Sequence, residues 1–239
     1  MRTRIIAHRG DTKDHPENTL SAFETALNNG ADAIELDVHL TSDGEPIVHH
    51  DYYLGNPDNG DGKIHERDLG YIQSLKISET EKIPTLDEVF ECIGDKLQYE
   101  IELKGFGEEF LINVIALVKK HNLGSVIEFT SSNVFSLTRI KALEPSFKTG
   151  VFVHTLPEWM DKQLGQTLAI HNSLLGDINV LHCPLAMVDK EFIQTAHDKG
   201  LLVHASDCDA DDDLRAAFAM GADQLSTNEL GLALGLRDR

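Results

Sequence analysis

The chain has 239 residues, 41% of them hydrophobic, which is too apolar for a disordered chain and enough to bury one core, so residues 1–239 are read as a single domain. A formal net charge of −19 argues against nucleic acid and anionic membrane surfaces as partners. No apolar run approaches the roughly 20 residues that a bilayer-spanning helix needs, so stable membrane insertion is not expected. The basic start Met1-Arg2-Thr3-Arg4 is followed only by Ile5-Ile6-Ala7 before His8 and Arg9, too short for the apolar region of a signal peptide. The expected location is therefore cytoplasmic. Cys92, Cys183 and Cys208 are far apart and odd in number, which predicts reduced thiols rather than a disulfide framework or a structural zinc site. Cys208 stands among acidic residues and is expected to be an inert small side chain.

Short β-type runs alternate with longer helical stretches. The first run covers residues 4–7 and stops at His8-Arg9-Gly10. A helix is predicted over 19–29, closed by Asn29-Gly30, a pair suited to a left-handed cap. The second strand, 33–38, carries Glu35 and Asp37. Asp43-Gly44 marks a turn, an additional short strand follows at 46–49, and the Gly-, Asn-, Asp- and Pro-rich stretch 53–62 is a loop placed like a small cap. Next come a helix at 86–93, a strand at 97–103, a helix at 108–121, a strand at 126–130, a helix at 133–143 and a strand at 148–153. Strands at 180–182, 202–205 and 224–226 are separated by helices at 190–199 and 211–220. About eight β/α units in this order predict an α/β fold of the TIM (β/α)8 barrel class. A doubly wound open sheet has the same alternation. The count near eight and the lack of a glycine-rich dinucleotide turn after the first strand favour the barrel.

In such a barrel, functional groups gather at the C-terminal ends of the strands. Residues two apart on a strand project to one face, so Glu35 and Asp37 point together, as do Glu102 and Lys104 on the next parallel strand. A lone acidic residue on a strand is ordinarily a solvated group or half of an ion pair. Three converging carboxylates repel one another unless a positive charge sits between them, and a hard divalent cation with oxygen ligands, Mg²⁺ or Ca²⁺ with Mn²⁺ also possible, meets that need. Of the 12 histidines, most are ordinary surface or packing residues, His39 among them. His8, at the end of the first strand beside Arg9-Gly10, and His50, next to Asp51 at the end of the additional strand, differ. Two histidines across a phosphodiester can divide the work of taking and giving a proton. His182 and His204 also fall near strand ends and are weaker pocket candidates. Arg9 and Lys104 supply cations. With a divalent ion they outweigh the three carboxylates by about one charge, enough to receive a monoanionic phosphodiester.

The ordered set Ala7-His8-Arg9-Gly10, Pro16-Glu17-Asn18-Thr19, Glu35-Leu36-Asp37-Val38, Asp43-Gly44, His50-Asp51, Ile83-Pro84-Thr85-Leu86 and Glu100-Ile101-Glu102-Leu103-Lys104 resembles the glycerophosphodiester phosphodiesterase family. The resemblance implies a TIM barrel with a small insertion after the second strand. It also implies hydrolysis of a small-molecule glycerophosphodiester to glycerol 3-phosphate and an alcohol. By position, His8 and His50 match the acid/base pair, Glu35, Asp37 and Glu102 the metal ligands, and Arg9 and Lys104 the phosphate contacts. In the family, attack by the neighbouring glycerol hydroxyl gives a cyclic phosphate that water then opens. The chain departs from the family after the seventh strand, where Ser206-Asp207-Cys208-Asp209 replaces a Trp-containing run. This leaves a more polar substrate wall, suited to a cationic head group such as choline or ethanolamine. Alternatively, Asp207 and Asp209 cap the helix that follows. Two other functions fit less well: a related barrel acting on lipids, which the charge opposes, and a non-catalytic phosphate-ester binder, which would not retain all six of His8, Arg9, Glu35, Asp37, His50 and Glu102.

Overall fold

The computed structural model describes residues 2–54 and 61–238. In chain order the elements are β1 (Arg4–Ala7), α1 (Leu20–Asn29), β2 (Ala33–Leu40), β3 (Pro46–Val48), α2 (Leu69–Ser74), α3 (Leu86–Ile93), β4 (Gln98–Leu103), α4 (Glu108–Lys120) and β5 (Ile127–Ser131). They continue as α5 (Val134–Leu143), β6 (Lys148–Phe152), α6 (Lys162–Leu175), β7 (Val180–Pro184), α7 (Lys190–His197), β8 (Leu202–Ser206), α8 (Asp211–Met220), β9 (Gln224–Thr227) and α9 (Leu230–Arg237). Of the loop expected at 53–62, residues 55–60 lie outside the described residues, and Tyr53 and Lys63 are joined by an antiparallel bridge. Several strands run past their predicted ends, because backbone pairing continues beyond the last apolar side chain. β7 and β8, for example, stay in register through Cys183 with Ala205 and Pro184 with Ser206. Sequence periodicity did not indicate α2, α6 or α9. In α6 the pattern is mixed: Gln166 and Ser173 are buried beside Ala169 and Ile170, while Leu164, Leu168, Leu174 and Leu175 are exposed.

The chain divides into two compact units. In the unit spanning His8–Ile127, β2 pairs in parallel with β4, with Asp37 opposite Glu102, and antiparallel with β3, with Val38 opposite Val48. Seven of the eight β2 residues are buried, as expected for a strand covered on both faces, so any charge it carries must be matched by neighbours. Thr19 caps α1 by accepting from the Ala22 N–H, and Gly30 closes it in the left-handed region. Gly10, at φ +90, is required where it stands, since a Cβ there would lie 2.7 Å from that of Ala22. A reciprocal capping box between Thr85 and Glu88 starts α3. Ile47, Leu54, Ile64, Ile72 and Ile83 form a small apolar cluster that seats β3 and the segment leading to His50.

The other unit, Met1–Ala7 with Glu128–Arg239, contains parallel strands in the order β1-β9-β8-β7-β6-β5. It buries an ionic network. Glu128 meets His182 Nε2 at 2.7 Å and Lys148 Nζ at 2.9 Å, and Gln224 donates to it at 3.1 Å. His204 packs its ring 4.1 Å from that of His182 and pairs with Ser226 Oγ at 3.0 Å. Gly150 makes room, since a Cβ there would fall 2.4 Å from His182 Nε2. His182 and His204 are thus buried partners of this network within their unit. Burial by itself raises the Glu128 carboxyl, but the His182 hydrogen bond and charge, with Lys148, outweigh it and hold the group below the usual carboxylate range. Its stabilisation is therefore present above the unfolded-state value of about 4.3 and is lost as pH falls towards the folded one. Glu128→Ala leaves buried cationic and imidazole groups uncompensated and is expected to cost about 3–5 kcal/mol in urea unfolding at pH 7. A loss below about 1 kcal/mol would show the network to be energetically neutral.

Candidate active site

The site residues lie in the unit spanning His8–Ile127 and come from the segment after β1, from β2, from the segment after β3 and from the end of β4. Arg9 and Asn18 both adopt left-handed backbone, φ 56 and 57, rare for residues with a Cβ and stored here to aim specific groups. The turn at Arg9 directs its N–H onto Glu35 Oε2 at 3.0 Å. Asn18, whose N–H bonds the Arg9 carbonyl, donates its side-chain amide to Asp37 Oδ2 at 2.8 Å and accepts from the Asp37 N–H. The loops on either side of Gly10 are thereby tied to β2.

Glu35, Asp37 and Glu102 bring one carboxylate oxygen each within 4.8 Å of one another. Asp37, 0% exposed, is the centre of charge. Lys104 Nζ lies 3.2 Å from its Oδ1 and 2.7 Å from Glu102 Oε1, and Arg9 Nε lies 3.4 Å from its Oδ2. Burial works to raise the Asp37 carboxyl, yet Lys104, the Asn18 hydrogen bond and Arg9 together lower it. Burial, then repulsion from Asp37, Glu100 and Glu102, pushes Glu35 well above the ordinary value. Burial also raises Glu102, against the pull of Lys104. Burial opposes the charge on Lys104, but Asp37 and Glu102 raise its pKa overall. Three crowded oxygen donors, two of them driven towards protonation, fit a hard divalent cation. Asp37 Oδ1 has no hydrogen bond of good geometry among the described residues, and the Lys104 ammonium stands between Asp37 and Glu102 as a cation would.

His8 Nε2 lies 3.9 Å from Glu35 Oε2. His50 Nδ1 pairs with Asp51 Oδ1 at 2.8 Å, which leaves Nε2 as the ring nitrogen without a partner among the described residues. Arg9 presents Nη1 to Glu17 at 3.0 and 2.9 Å and Nε to Asp37, and its Nη2 has no partner among the described residues. All seven residues expected from the sequence therefore fall in one unit, and the acidic and basic ones interlock. Sequence reasoning gave no role to Glu17, Asn18 or His39. Burial lowers the His39 imidazole to about 4, so it is neutral at physiological pH, and its Nε2 lies 3.3 Å from the His50 carbonyl. The signal for Asn18 was its place just before the helix cap Thr19, where a left-handed Asn is chemically favoured.

At Ser206–Asp209 the helix-capping alternative needs correction. α8 starts after Ala210, which makes no side-chain cap, while Asp209 accepts from Thr227 Oγ1, Asn228 N and Asn228 Nδ2 at 3.1, 2.7 and 2.8 Å. Asp209 is a clasp between two loops. Cys208 is buried, and burial pushes its thiol up to about 12, matching the inert reading.

The model of the glycerophosphoryl diester phosphodiesterase family matches residues 8–232. A glycerophosphodiester phosphodiesterase of Caldanaerobacter subterraneus subsp. tengcongensis is 33% identical over 96% of this chain and 95% of its own. A solved phosphodiesterase of Oleispira antarctica, in complex with the product sn-glycerol-3-phosphate, is 27% identical, with a TM-score of 0.87 over 100% of this chain and 98% of that one. The glycerophosphodiester phosphodiesterase of Thermotoga maritima superposes with a TM-score of 0.81 at 25% identity over 99% of both chains. The fold class is the (β/α)8 barrel predicted from the element order, with β3 as the strand additional to the eight parallel ones. The chain belongs to the glycerophosphoryl diester phosphodiesterase family, whose members are phosphoric diester hydrolases.

Proposed function

We propose that the chain is a cytoplasmic, metal-dependent hydrolase acting as one domain that converts glycerophosphodiesters to glycerol 3-phosphate and an alcohol. His8 and His50 move protons, Glu35, Asp37 and Glu102 hold one Mg²⁺ or Ca²⁺ (Mn²⁺ is also compatible), and Arg9 and Lys104 meet the phosphate. The observation that carries this reading is the convergence of the three carboxylates within 4.8 Å, with both cations on Asp37, in a member of this family. The product named for the Oleispira relative supports glycerol 3-phosphate as the product here. Three cysteines with no disulfide fit a reducing compartment. Among the described residues no helix is long and apolar enough to cross a membrane.

When bound, the ion supplies positive charge beside the phosphoryl oxygens. The chain's own groups do the rest. Arg9 offers Nη2, and the Lys104 ammonium, ion-paired with Asp37 and Glu102, has three N–H groups and so can turn one to the phosphate. One histidine takes the proton of the glycerol hydroxyl next to the phosphate as that oxygen bonds to phosphorus. The other gives a proton to the alcohol oxygen as its bond to phosphorus breaks. Water then opens the cyclic phosphate with the two roles reversed.

The decisive test is a chelated sample, repleted with Mg²⁺, Ca²⁺ or Mn²⁺, assayed against the choline, ethanolamine and glycerol diesters with ³¹P NMR of the products. Linear glycerol 3-phosphate, formed only with metal, is expected. Accumulated cyclic phosphate would point to a transferase that stops halfway, and full activity without metal would overturn the ligand assignment. With one acid and one base, kcat/KM is expected to be bell-shaped in pH, whereas a single limb from pH 5 to 10 would count against the pair.

A further inference from the structure

β2 presents Glu35, Asp37 and His39 at alternate positions, so all three project to the same face. The proposed chemistry uses the first two and leaves the third, a buried imidazole, without a task. His39 Nε2–H donates to the carbonyl oxygen of His50 at 3.3 Å. The ring is backed by Tyr52, with centroids 6.1 Å apart, and Tyr52 is in turn packed on His65 at 5.2 Å. The antiparallel pairing of β2 with β3 ends at Val48, and one further bond, from the His49 N–H to the Asp37 carbonyl at 2.9 Å, closes it. His50 therefore stands one residue past the last ladder bond, where a chain is ordinarily free to turn. Its imidazole is held at Nδ1 by Asp51. The Asp51 side chain is 70% exposed and is the next residue in the chain, so it can orient the ring but does not tie the His50 peptide to β2.

We propose that His39 is a positioning residue for the reaction: its ring ties the His50 peptide to β2, and so holds the His50 imidazole at a fixed height beside Asp37. The inference rests on the reading of His50 as a proton-transfer residue. Proton transfer requires heavy atoms within hydrogen-bond reach, and a displacement of about 1 Å is enough to cost on the order of a hundredfold in rate. A side chain that presents one N–H to the carbonyl suits the task.

The test uses the metal-loaded protein and three variants: His39→Leu, which fills the space without a donor, His39→Gln, whose amide reaches the carbonyl, and His39→Asn, whose amide is too short. His39→Leu and His39→Asn are expected to lower kcat about 10–100-fold, with KM and Mn²⁺ affinity changed by less than about twofold, and His39→Gln to recover to within about threefold of wild type. A merely structural role would not give this split, and would not separate Gln from Asn. The inference is overturned if His39→Leu keeps wild-type kcat, if its loss falls on KM or Mn²⁺ affinity, or if Gln does no better than Asn. Should His39→Leu fail to fold in thermal melts, the Gln and Asn pair decides. His50→Ala run alongside separates the two readings. Wild-type rate in His50→Ala overturns the role of His50 itself, whereas collapse of His50→Ala beside an unimpaired His39→Leu overturns the role of His39 alone.

Discussion

His8→Ala and His50→Ala are each expected to lower kcat by about 10²–10⁴-fold, the range for losing a positioned acid or base, while divalent-ion affinity survives. The geometry separates them from the three carboxylates proposed to hold the ion. His8 Nε2 is 3.9 Å from Glu35 Oε2, a contact with the ligand set rather than membership of it. His50 is paired through Nδ1 with Asp51. Removing either ring leaves Glu35, Asp37 and Glu102 in place, so Mn²⁺ titration of the variants should match wild type. The two losses should not add. Both rings serve one proton transfer sequence, so the double variant is expected to be little worse than the poorer single one. Wild-type activity in His8→Ala would refute the assignment of roles, and loss of Mn²⁺ binding in either variant would move that histidine into the ligand set.

Removing the central charge should act on everything at once. Asp37→Asn keeps the shape and the hydrogen bond from Asn18 in part, but it takes away the charge that Arg9 and Lys104 both face. Both cations would then crowd a neutral amide, and the ion would lose one of three carboxylates. Activity is expected to fall by at least about 10²–10³-fold and Mn²⁺ affinity to fall with it, in contrast to the histidine variants. Metal binding to the wild type should weaken as pH falls, because burial and mutual repulsion raise Glu35 and Glu102, which must give up protons to bind an ion. Isothermal titration in two buffers of different ionisation enthalpy reads the released protons directly. A pH-independent affinity between pH 5 and 8 would show that these carboxylates are already ionised without metal.

Much of the site was legible in the sequence because it depends on local periodicity. The two-residue repeat of a strand is enough to put Glu35 beside Asp37 and Glu102 beside Lys104 on one face, and the parallel pairing then sets Asp37 against Glu102. Strand and helix positions followed from the same signal and from cap chemistry, as at Gly30 and Gly221, both left-handed. Where the periodicity is blurred, as in α6 with its exposed leucines and buried Gln166, the sequence carried no readable helix.

The remaining features depend on backbone conformation and on contacts between distant segments, which residue type alone does not specify. Arg9 points its N–H at Glu35 only because it is left-handed, and Asn18 reaches Asp37 because the chain folds back over Gly10. His39 looked like any of the 12 histidines until its ring was found on the His50 carbonyl. Likewise, Glu128 and His182, 54 residues apart, become one buried pair only through the packing of their strands. The sequence by itself pointed to the order of the strands and helices and to the candidate carboxylates, histidines and cations, because each candidate sits in a short run at or near a strand end, where the two-residue repeat and the family resemblance assign it a place. Only the tertiary structure decided what steadies them: Asn18 and Lys104 on Asp37, Asp51 and His39 on His50. A buried charge or a precisely held ring is stabilised by whichever groups the fold delivers within about 3 Å of it, and that distance is a property of packing.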